Sequence, residues 1–261
     1  MKILIMLMLV VHLISATCNK ETYIPDKAKS LFIDIIISNE DVIPDKFTPW
    51  YFSALIEHES CVRLCGNNYW ARRCWSPKSK LATYWDKEKT RPREEGAGLL
   101  QLTRAWRKNG SLRLDTITNL KRRYPKQLSE LTWNNVYSKP NLQIKAGMLL
   151  WRDNDRYLNS NITGYNRLWF LDSIYNGGSK YLLRERTKCK LMKDCDPLIW
   201  FDNVADVNAR GNRILYGKRS AWMINRDHVK DVKFRMIKYK LHYLDFSIYK
   251  LEDDRLIKIE E

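Results

Sequence analysis

The chain has 261 residues, of which 44% are hydrophobic, and it carries a formal net charge of +16. This length can bury one sizeable core, so one main domain is the simplest organisation. No internal repeat or low-complexity linker divides the chain, which excludes a repeat array. The positive charge favours polyanions such as nucleic acid, anionic lipid or acidic cell wall as partners, although a surface kept basic for solubility would have the same composition.

The N-terminus has the pattern of an export signal. Lys2 is followed by an apolar run of fourteen positions from Ile3 to Ala16 and then by polar residues. A helix that crosses a bilayer needs about 20 apolar residues, so this run is too short for a membrane span. A charged start followed by a short apolar run is typical of a secretory signal peptide. We therefore expect residues 1–17 to be a signal peptide, or else a retained signal-anchor, and the protein to reach the periplasm or the medium. Lipid attachment at Cys18 is a minority alternative.

Six cysteines favour disulfide bonds in an exported protein. Cys18 and Cys61 have two alternatives: they pair with each other, or Cys61 stays a free thiol two residues from Glu59. No combination of Cys and His completes a zinc site, so we expect no metal and no other cofactor. Two pairs would close short loops, and these are Cys65 with Cys74 and Cys189 with Cys195.

In chain order, the first strong helix signal is Thr48-Pro49. Thr48 suits an N-cap and Pro49 suits the first helical position, so a helix is predicted from here to about Leu64. Before it, residues 18–47 predict a lead-in with one helix and a connecting loop. After it, residues 67–97 are basic, aromatic and interrupted by Pro, and we interpret them as a long insertion.

The second half of the chain is predicted to be mostly helical. One helix enters at Pro140, and the apolar segment LWFLDSIYNGG predicts another that ends at Gly177-Gly178. Between Arg226 and Leu244 the pattern fits either a last helix or a C-terminal strand pair, and the periodicity does not decide between them.

Two glutamates near the end of the first helix occupy different faces of a helical wheel. At about 100° per residue, Glu59 falls within an apolar stripe that includes Phe52 and Ile56, whereas Glu57 falls about 160° away. Glu57 is therefore predicted to be a solvated surface charge. An ionised carboxylate in an apolar stripe is costly, so Glu59 is either paired, for example with Arg63, or protonated as a general acid.

Three short motifs follow one another along the chain: His58-Glu59-Ser60, Gly98-Leu99-Leu100-Gln101, and Ile174-Tyr175-Asn176-Gly177-Gly178. Each is weak alone, but in this order they resemble the lytic transglycosylases of the goose-type lysozyme-like superfamily. That family shows Gln-Glu-Ser, Gly-Leu-Met-Gln and Ala-Tyr-Asn-Ala-Gly. The segment from Asn141 to Gly147 approximates its Asn-Ile-x-x-Gly motif, and PREEGAGLLQLTRAW is similar to the phage endolysin branch.

The sequence departs from the family pattern at several positions. His58, Leu100 and Ile174 stand where the family has Gln, Met and Ala. The closing family signature, Glu-Thr-x-x-Tyr-Val, is only echoed by residues 225–229, so no site residue is assigned from it. His228 is accordingly interpreted as a surface histidine.

The resemblance implies cleavage of the β-1,4 bond between N-acetylmuramic acid and N-acetylglucosamine in peptidoglycan. Glu59 matches the single catalytic acid of the family, which protonates the bridging oxygen and then serves as base while a 1,6-anhydro sugar forms. No second carboxylate is required, in contrast to ordinary glycosidases, whereas a hydrolytic variant would draw on Glu94 or Glu95. The resemblance implies these substrate-binding residues: Ser60, Gly98, Leu99, Gln101, Tyr175 and Asn176.

Individual roles also follow from the resemblance. Gly96 and Gly98 would let the backbone approach the sugar, and Leu99 and Gln101 would line the cleft. Ser60 would contact the muramoyl side, and the Tyr175 hydroxyl would orient the catalytic carboxylate.

The expected fold class is mainly α, a lysozyme-like (lytic transglycosylase) helical domain with a small C-terminal extension. The catalytic domain is predicted over residues 48–240 and the extension over 241–261. The expected partners are peptidoglycan glycan strands and the anionic cell-envelope surface, with no nucleic acid, and the protein is expected to be a monomer. Two alternatives stay open: a hydrolytic muramidase of the same fold, and a non-catalytic basic cell-wall-binding protein.

Overall fold

The computed structural model describes residue 24 and residues 35–43, 48–60, 80–86, 91–107, 109–212, 214–216, 218–245, 249–252 and 255–258. Within this part of the chain the structure is mainly α-helical with small antiparallel sheets, so the expected fold class, mainly α, is confirmed. Several predictions lie outside the described residues. They concern the signal peptide, Arg63 and the cysteines Cys18, Cys61, Cys65 and Cys74.

Proline and glycine mark the helix ends where the sequence predicted them. Helices begin at Pro49 and Pro140, and another ends at Gly177, with Gly178 in the left-handed region at φ +81°. The first helix ends at Glu59, earlier than the predicted Leu64. The α-helices are α1 (Pro49–Glu59), α2 (Thr116–Arg123), α3 (Pro125–Leu128), α4 (Pro140–Asp155), α5 (Gly164–Gly177), α6 (Ser179–Lys190) and α7 (Ala221–Asp245).

A four-stranded antiparallel sheet follows α1 in the chain. Its strands are in sequence order: β1 (Lys80–Asp86), β2 (Arg91–Ala97), β3 (Leu102–Trp106) and β4 (Leu112–Asp115). Ala97 pairs with Leu102, so residues 98–101 form the tight connection between β2 and β3. The last part of the predicted 67–97 insertion is therefore sheet.

Helices α1, α5 and α7 pack together around the main hydrophobic core. Every residue of α1 from Pro49 to Glu57 is buried, including the large side chains of Trp50 and Phe52. Phe170 on α5 and Val232 on α7 are fully buried in the same core. Since α1 is enclosed on all sides, its last turn is held rigidly at the edge of the core.

The segment from Arg226 to Leu244, for which the sequence left a last helix or a strand pair open, is helical, and a strand pair lies after it. Helix α7 runs to Asp245, so the predicted domain boundary at 240 falls inside it, and a hairpin of β7 (Tyr249–Glu252) and β8 (Arg255–Lys258) follows. Before α7, β5 (Ile214–Tyr216) pairs with β6 (Arg219–Ser220).

The predicted bridge between Cys189 and Cys195 is confirmed, with their Cα atoms 5.3 Å apart. It closes the loop at the end of α6. Among the described residues, no helix has both the length and the apolar character needed to span a membrane.

Candidate active site

Glu57 lies in the core, not at the surface. Its side chain is 1% exposed and accepts hydrogen bonds from three residues of α7: Arg235, Lys238 (2.7 Å) and Tyr239. The prediction of a solvated surface charge is wrong. A helical wheel identifies the buried face only when the opposite face meets water, and α1 is buried all round. The charge is tolerated because two cations and a hydroxyl compensate it.

Glu59, in the last turn of α1, is the more accessible of the two carboxylates. Its side chain is 16% exposed, and its Oε1 lies 3.0 Å from Nε2 of His228. Among the described residues no other side chain hydrogen-bonds to this carboxylate, so Oε2 has no described partner. A carboxylate held on one side and accessible on the other suits proton exchange with a bound molecule.

The three motifs singled out in the sequence meet at the turn between β2 and β3. Ser60, next to Glu59, donates from Oγ to the carbonyl of Leu99 at 2.8 Å. Tyr175 donates from its hydroxyl to the carbonyl of Leu100 at 2.5 Å. The end of α1 and the end of α5 are thus both tied to the Gly98–Gln101 turn, although long stretches of chain separate them.

Helix α4 supports this turn through the motif from Asn141 to Gly147. Gln143 accepts a hydrogen bond from the Leu99 amide at 2.7 Å. A side chain at Gly147 would collide with Leu100, and one at Gly98 would collide with Gln143. Gly98 also has φ +76°, a backbone conformation that favours glycine. These glycines therefore allow close packing between the turn and helix α4.

Several predicted contact residues face the protein interior. The Leu99 side chain is fully buried, so it does not line a cleft, and the Ser60 hydroxyl is buried and bonded to the turn. Gln101 is partly exposed, at φ 47°, and its Nε2 donates to the Gly98 carbonyl at 2.7 Å. The Tyr175 hydroxyl bonds to the turn and not to Glu59. A different residue therefore orients the Glu59 carboxylate.

That residue is His228, which had the sequence pattern of a surface histidine. It is 3% exposed, and its second ring nitrogen, Nδ1, lies 2.9 Å from Oδ2 of Asp172. The other oxygen of Asp172 accepts a hydrogen bond from Tyr51 at 2.8 Å. A buried chain therefore links Tyr51, Asp172, His228 and Glu59 across α1, α5 and α7. The interpretation of His228 as a surface histidine is wrong.

In this hydrogen-bonded chain of side chains, the carboxylates of Asp172 and Glu59 determine whether His228 and Tyr51 carry their protons. Burial by itself would lower the pKa of His228, but the charge and hydrogen bond of Asp172, together with Glu59, raise it from 6.5 to about 10. His228 is consequently a cation at neutral pH. The pKa of Tyr51 is raised by burial and by the charge of Asp172, so its hydroxyl keeps its proton. Burial and the charges of Glu59 and Asp172 likewise raise the pKa of Tyr175.

A sequence signal for His228 did exist. Polar residues recur on α7 at positions 225, 228, 231, 235 and 238, which is the spacing of one helix face. This stripe lies beside the apolar stripe through Val229, Val232 and Met236. A polar stripe adjoining an apolar one is usually solvated, and here the packing of α1 and α5 against α7 covers it.

A groove of about 740 Å³ is lined by one member of the hydrogen-bonded chain, His228, whereas Glu59, Asp172 and Tyr51 are not among its lining residues. Its lining includes His228, His58, Asn176 and Lys230, together with other residues of α7. His58 lies 2.5 Å from Asp231 through Nδ1, and its ring meets that of His228 edge to face at 4.2 Å. Burial would raise the pKa of Asp231, but hydrogen bonds from His58 and from the neighbouring guanidinium hold it well below its usual range.

Asn176 is the exposed member of the predicted Tyr-Asn pair. Its Oδ1 accepts a hydrogen bond from Asn225 at 3.0 Å, and Asn225 also donates to the Ser173 carbonyl at 3.0 Å. Asn225 is fully buried. The side chain of Asn176 is thus oriented at the groove by helix α7.

The two glutamates considered for a hydrolytic variant are both paired with arginine. Glu95 is 3% exposed and bonded to Arg104 on β3, and Glu94 forms an ion pair with Arg113 on β4 at 3.1 Å. Neither is bonded to the Glu59 chain.

Within the described ranges, no group of three His, Cys, Asp or Glu side chains has an arrangement that could hold a metal ion.

Comparisons of the chain with protein-family models, with curated proteins and with solved structures returned no match. The assignment of a function therefore depends on the geometry of the residues themselves.

Proposed function

We propose that the protein is an exported lytic transglycosylase with a lysozyme-like helical domain, and that it cleaves peptidoglycan glycan strands with Glu59 as general acid and base. The observation that carries the proposal is the convergence of three motifs on one turn. Ser60 and Tyr175 bond to consecutive carbonyls of that turn, and Glu59 stands beside it with one described partner.

The chemistry requires one carboxyl group. Glu59 gives its proton to the bridging oxygen as the bond to C1 of the muramoyl residue breaks. The 6-hydroxyl of that residue then attacks C1 and returns its proton to the carboxylate. The products are a 1,6-anhydro-muramoyl end and a free 4-hydroxyl, and no water is consumed.

The two carboxylates that the sequence offered for a hydrolytic mechanism are both engaged in ion pairs with arginine, which favours the single-carboxylate mechanism. A second carboxylate acting with water lies about 5–10 Å from the acid in ordinary glycosidases. The two candidates from the sequence, Glu94 and Glu95, are each paired with arginine on the sheet. The alternative of a hydrolytic muramidase therefore lacks a free partner among the described carboxylates near β2.

The deciding experiment is digestion of purified sacculi, followed by mass spectrometry of the released muropeptides. We expect products lighter by one water than those of a muramidase, and we expect Glu59→Gln to abolish their release. Glu130→Gln is a matched control, because Glu130 is a largely exposed glutamate whose only described ion pair is with Lys139. Release of hydrated products would replace the transglycosylase by the muramidase. Undiminished release by Glu59→Gln would show that Glu59 is not the catalytic acid. No release by the wild-type protein would leave the non-catalytic cell-wall-binding protein as the remaining candidate.

The net charge of +16 supports accumulation on the acidic cell envelope. Arg122 and Lys126 are exposed basic residues at the end of α2 and in α3. Binding to sacculi is expected to weaken as salt is added, because screening shortens the range of these charges. Binding that is insensitive to salt would contradict this part of the proposal.

A further inference from the structure

We propose that His228 is a positioning residue for the catalytic carboxylate, anchored by Asp172 and, through Asp172, by Tyr51. This inference rests on the proposed function of Glu59 but names a device that the sequence motifs did not contain. The imidazole binds Oε1 of Glu59 and leaves Oε2 for the substrate.

The anchoring is rigid because each contact joins different helices. His228 belongs to α7, Asp172 to α5, and Tyr51 and Glu59 to the two ends of α1. Both oxygens of Asp172 are used, one by Tyr51 at 2.8 Å and one by His228 at 2.9 Å. Asp172 and Tyr51 are fully buried, so the histidine ring has a fixed orientation when it meets Glu59.

The imidazole ring of His228 also places a positive charge beside Glu59. Since each of its nitrogens faces a carboxylate oxygen, the doubly protonated ring donates in both directions. Glu59 becomes negative as it gives up its proton, and a fixed cation 3.0 Å away stabilises that developing charge. The titratable groups around the ring are Glu59, Tyr51 and His58 from α1, Asp172 and Tyr175 from α5, and Asp231 beyond His58.

Replacing His228 by Asn or by Gln, both uncharged, tests its hydrogen bonds to Asp172 and to Glu59 separately. The amide of Asn occupies the place of Nδ1 and can donate to Asp172, whereas the amide of Gln reaches the place of Nε2 and can donate to Glu59. We expect His228→Asn to lower kcat for sacculus digestion by about 100-fold, in line with loss of one preorganised donor, with KM changed far less. His228→Gln should recover part of this loss. His242→Gln, on the same helix, is the matched control and should retain wild-type kcat.

A purely structural role for His228 predicts a different pattern. The two variants would then lose activity equally, or KM would rise while kcat stayed unchanged, and either result overturns the proposal. Thermal unfolding of each variant shows whether a low kcat reflects a smaller folded fraction.

A measurement that does not depend on catalysis keeps the proposal testable when a variant fails to fold. The ¹⁵N shifts of the His228 ring in the wild-type protein should report both nitrogens protonated at pH 7, with titration near pH 10. Glu59→Gln and Asp172→Asn should each lower that midpoint by about 1–3 pH units, because each removes a carboxylate that favours the cation. A ring that is neutral at pH 7, or a midpoint unmoved by Glu59→Gln, overturns the positioning role.

The two proposals fail in distinguishable ways. When Glu59→Gln leaves digestion intact but moves the His228 midpoint, the contact exists and the catalytic assignment is wrong. When Glu59→Gln abolishes digestion and the midpoint does not move, the catalytic assignment stands and His228 is not its positioning residue.

Discussion

Replacing Glu57 by Gln tests whether this carboxylate is a structural element of the interface between α1 and α7. The substitution keeps the shape of the side chain and removes its charge. Lys238 is 4% exposed and would lose its anionic partner at 2.7 Å, while Arg235 would keep Asp231 at 2.8 Å. Burial lowers the pKa of Lys238, and the charge of Glu57 counteracts that effect.

The expected cost follows from the burial of the partners. Removing one member of a buried ion pair typically destabilises a protein by about 3–5 kcal/mol, because the other charge is left uncompensated. For a chain of this size, about 2–4 °C of melting temperature corresponds to 1 kcal/mol, so Glu57→Gln should melt about 6–20 °C lower. The measurement is thermal and urea unfolding followed by circular dichroism.

Two comparisons make this test decisive. Glu130→Gln changes a largely exposed carboxylate and should alter the free energy of unfolding by less than about 0.5 kcal/mol. Adding Lys238→Met to Glu57→Gln should restore part of the lost stability, because it removes the orphaned cation. Equal stability of Glu57→Gln and Glu130→Gln would refute the burial argument.

Two further predictions concern stability. The pKa of His228 is raised from 6.5 to about 10, so its contribution to folding is complete below pH 6.5 and is lost as pH rises toward 10. The free energy of unfolding of the wild type should fall over that window by at most about 5 kcal/mol more than that of His228→Gln, and parallel curves in urea titrations would contradict this. Gly147→Ala should destabilise by about 1–3 kcal/mol, because the new methyl group would collide with Leu100, although alanine is the better helix former. A rise in melting temperature for this variant would show that Leu100 moves aside without cost.

Local signals predicted the element ends correctly. Pro49 and Pro140 begin helices and Gly177 ends one, because proline fixes φ and glycine tolerates the left-handed conformation that follows a helix. The short loop between Cys189 and Cys195 likewise predicted their bridge. Each of these features depends on neighbours in the sequence.

The roles of the two glutamates could not be predicted in the same way. The wheel assigned Glu57 to solvent because it assumed that α1 has a solvated face, and helix α7 covers that face. His228 was missed for the same reason, since a polar stripe on an isolated helix is typical of a solvated surface.

The sequence by itself determined the mainly helical character of the chain, the ends of its main helices and the candidate carboxylate Glu59, because these follow from backbone preferences and short motifs. Only the tertiary structure decided which side chains surround that carboxylate. His228 is 169 residues from Glu59 along the chain, and their contact at 3.0 Å exists because α1 packs against α7. Burial and ion pairing depend on such long-range packing, and no local pattern of residues specifies it.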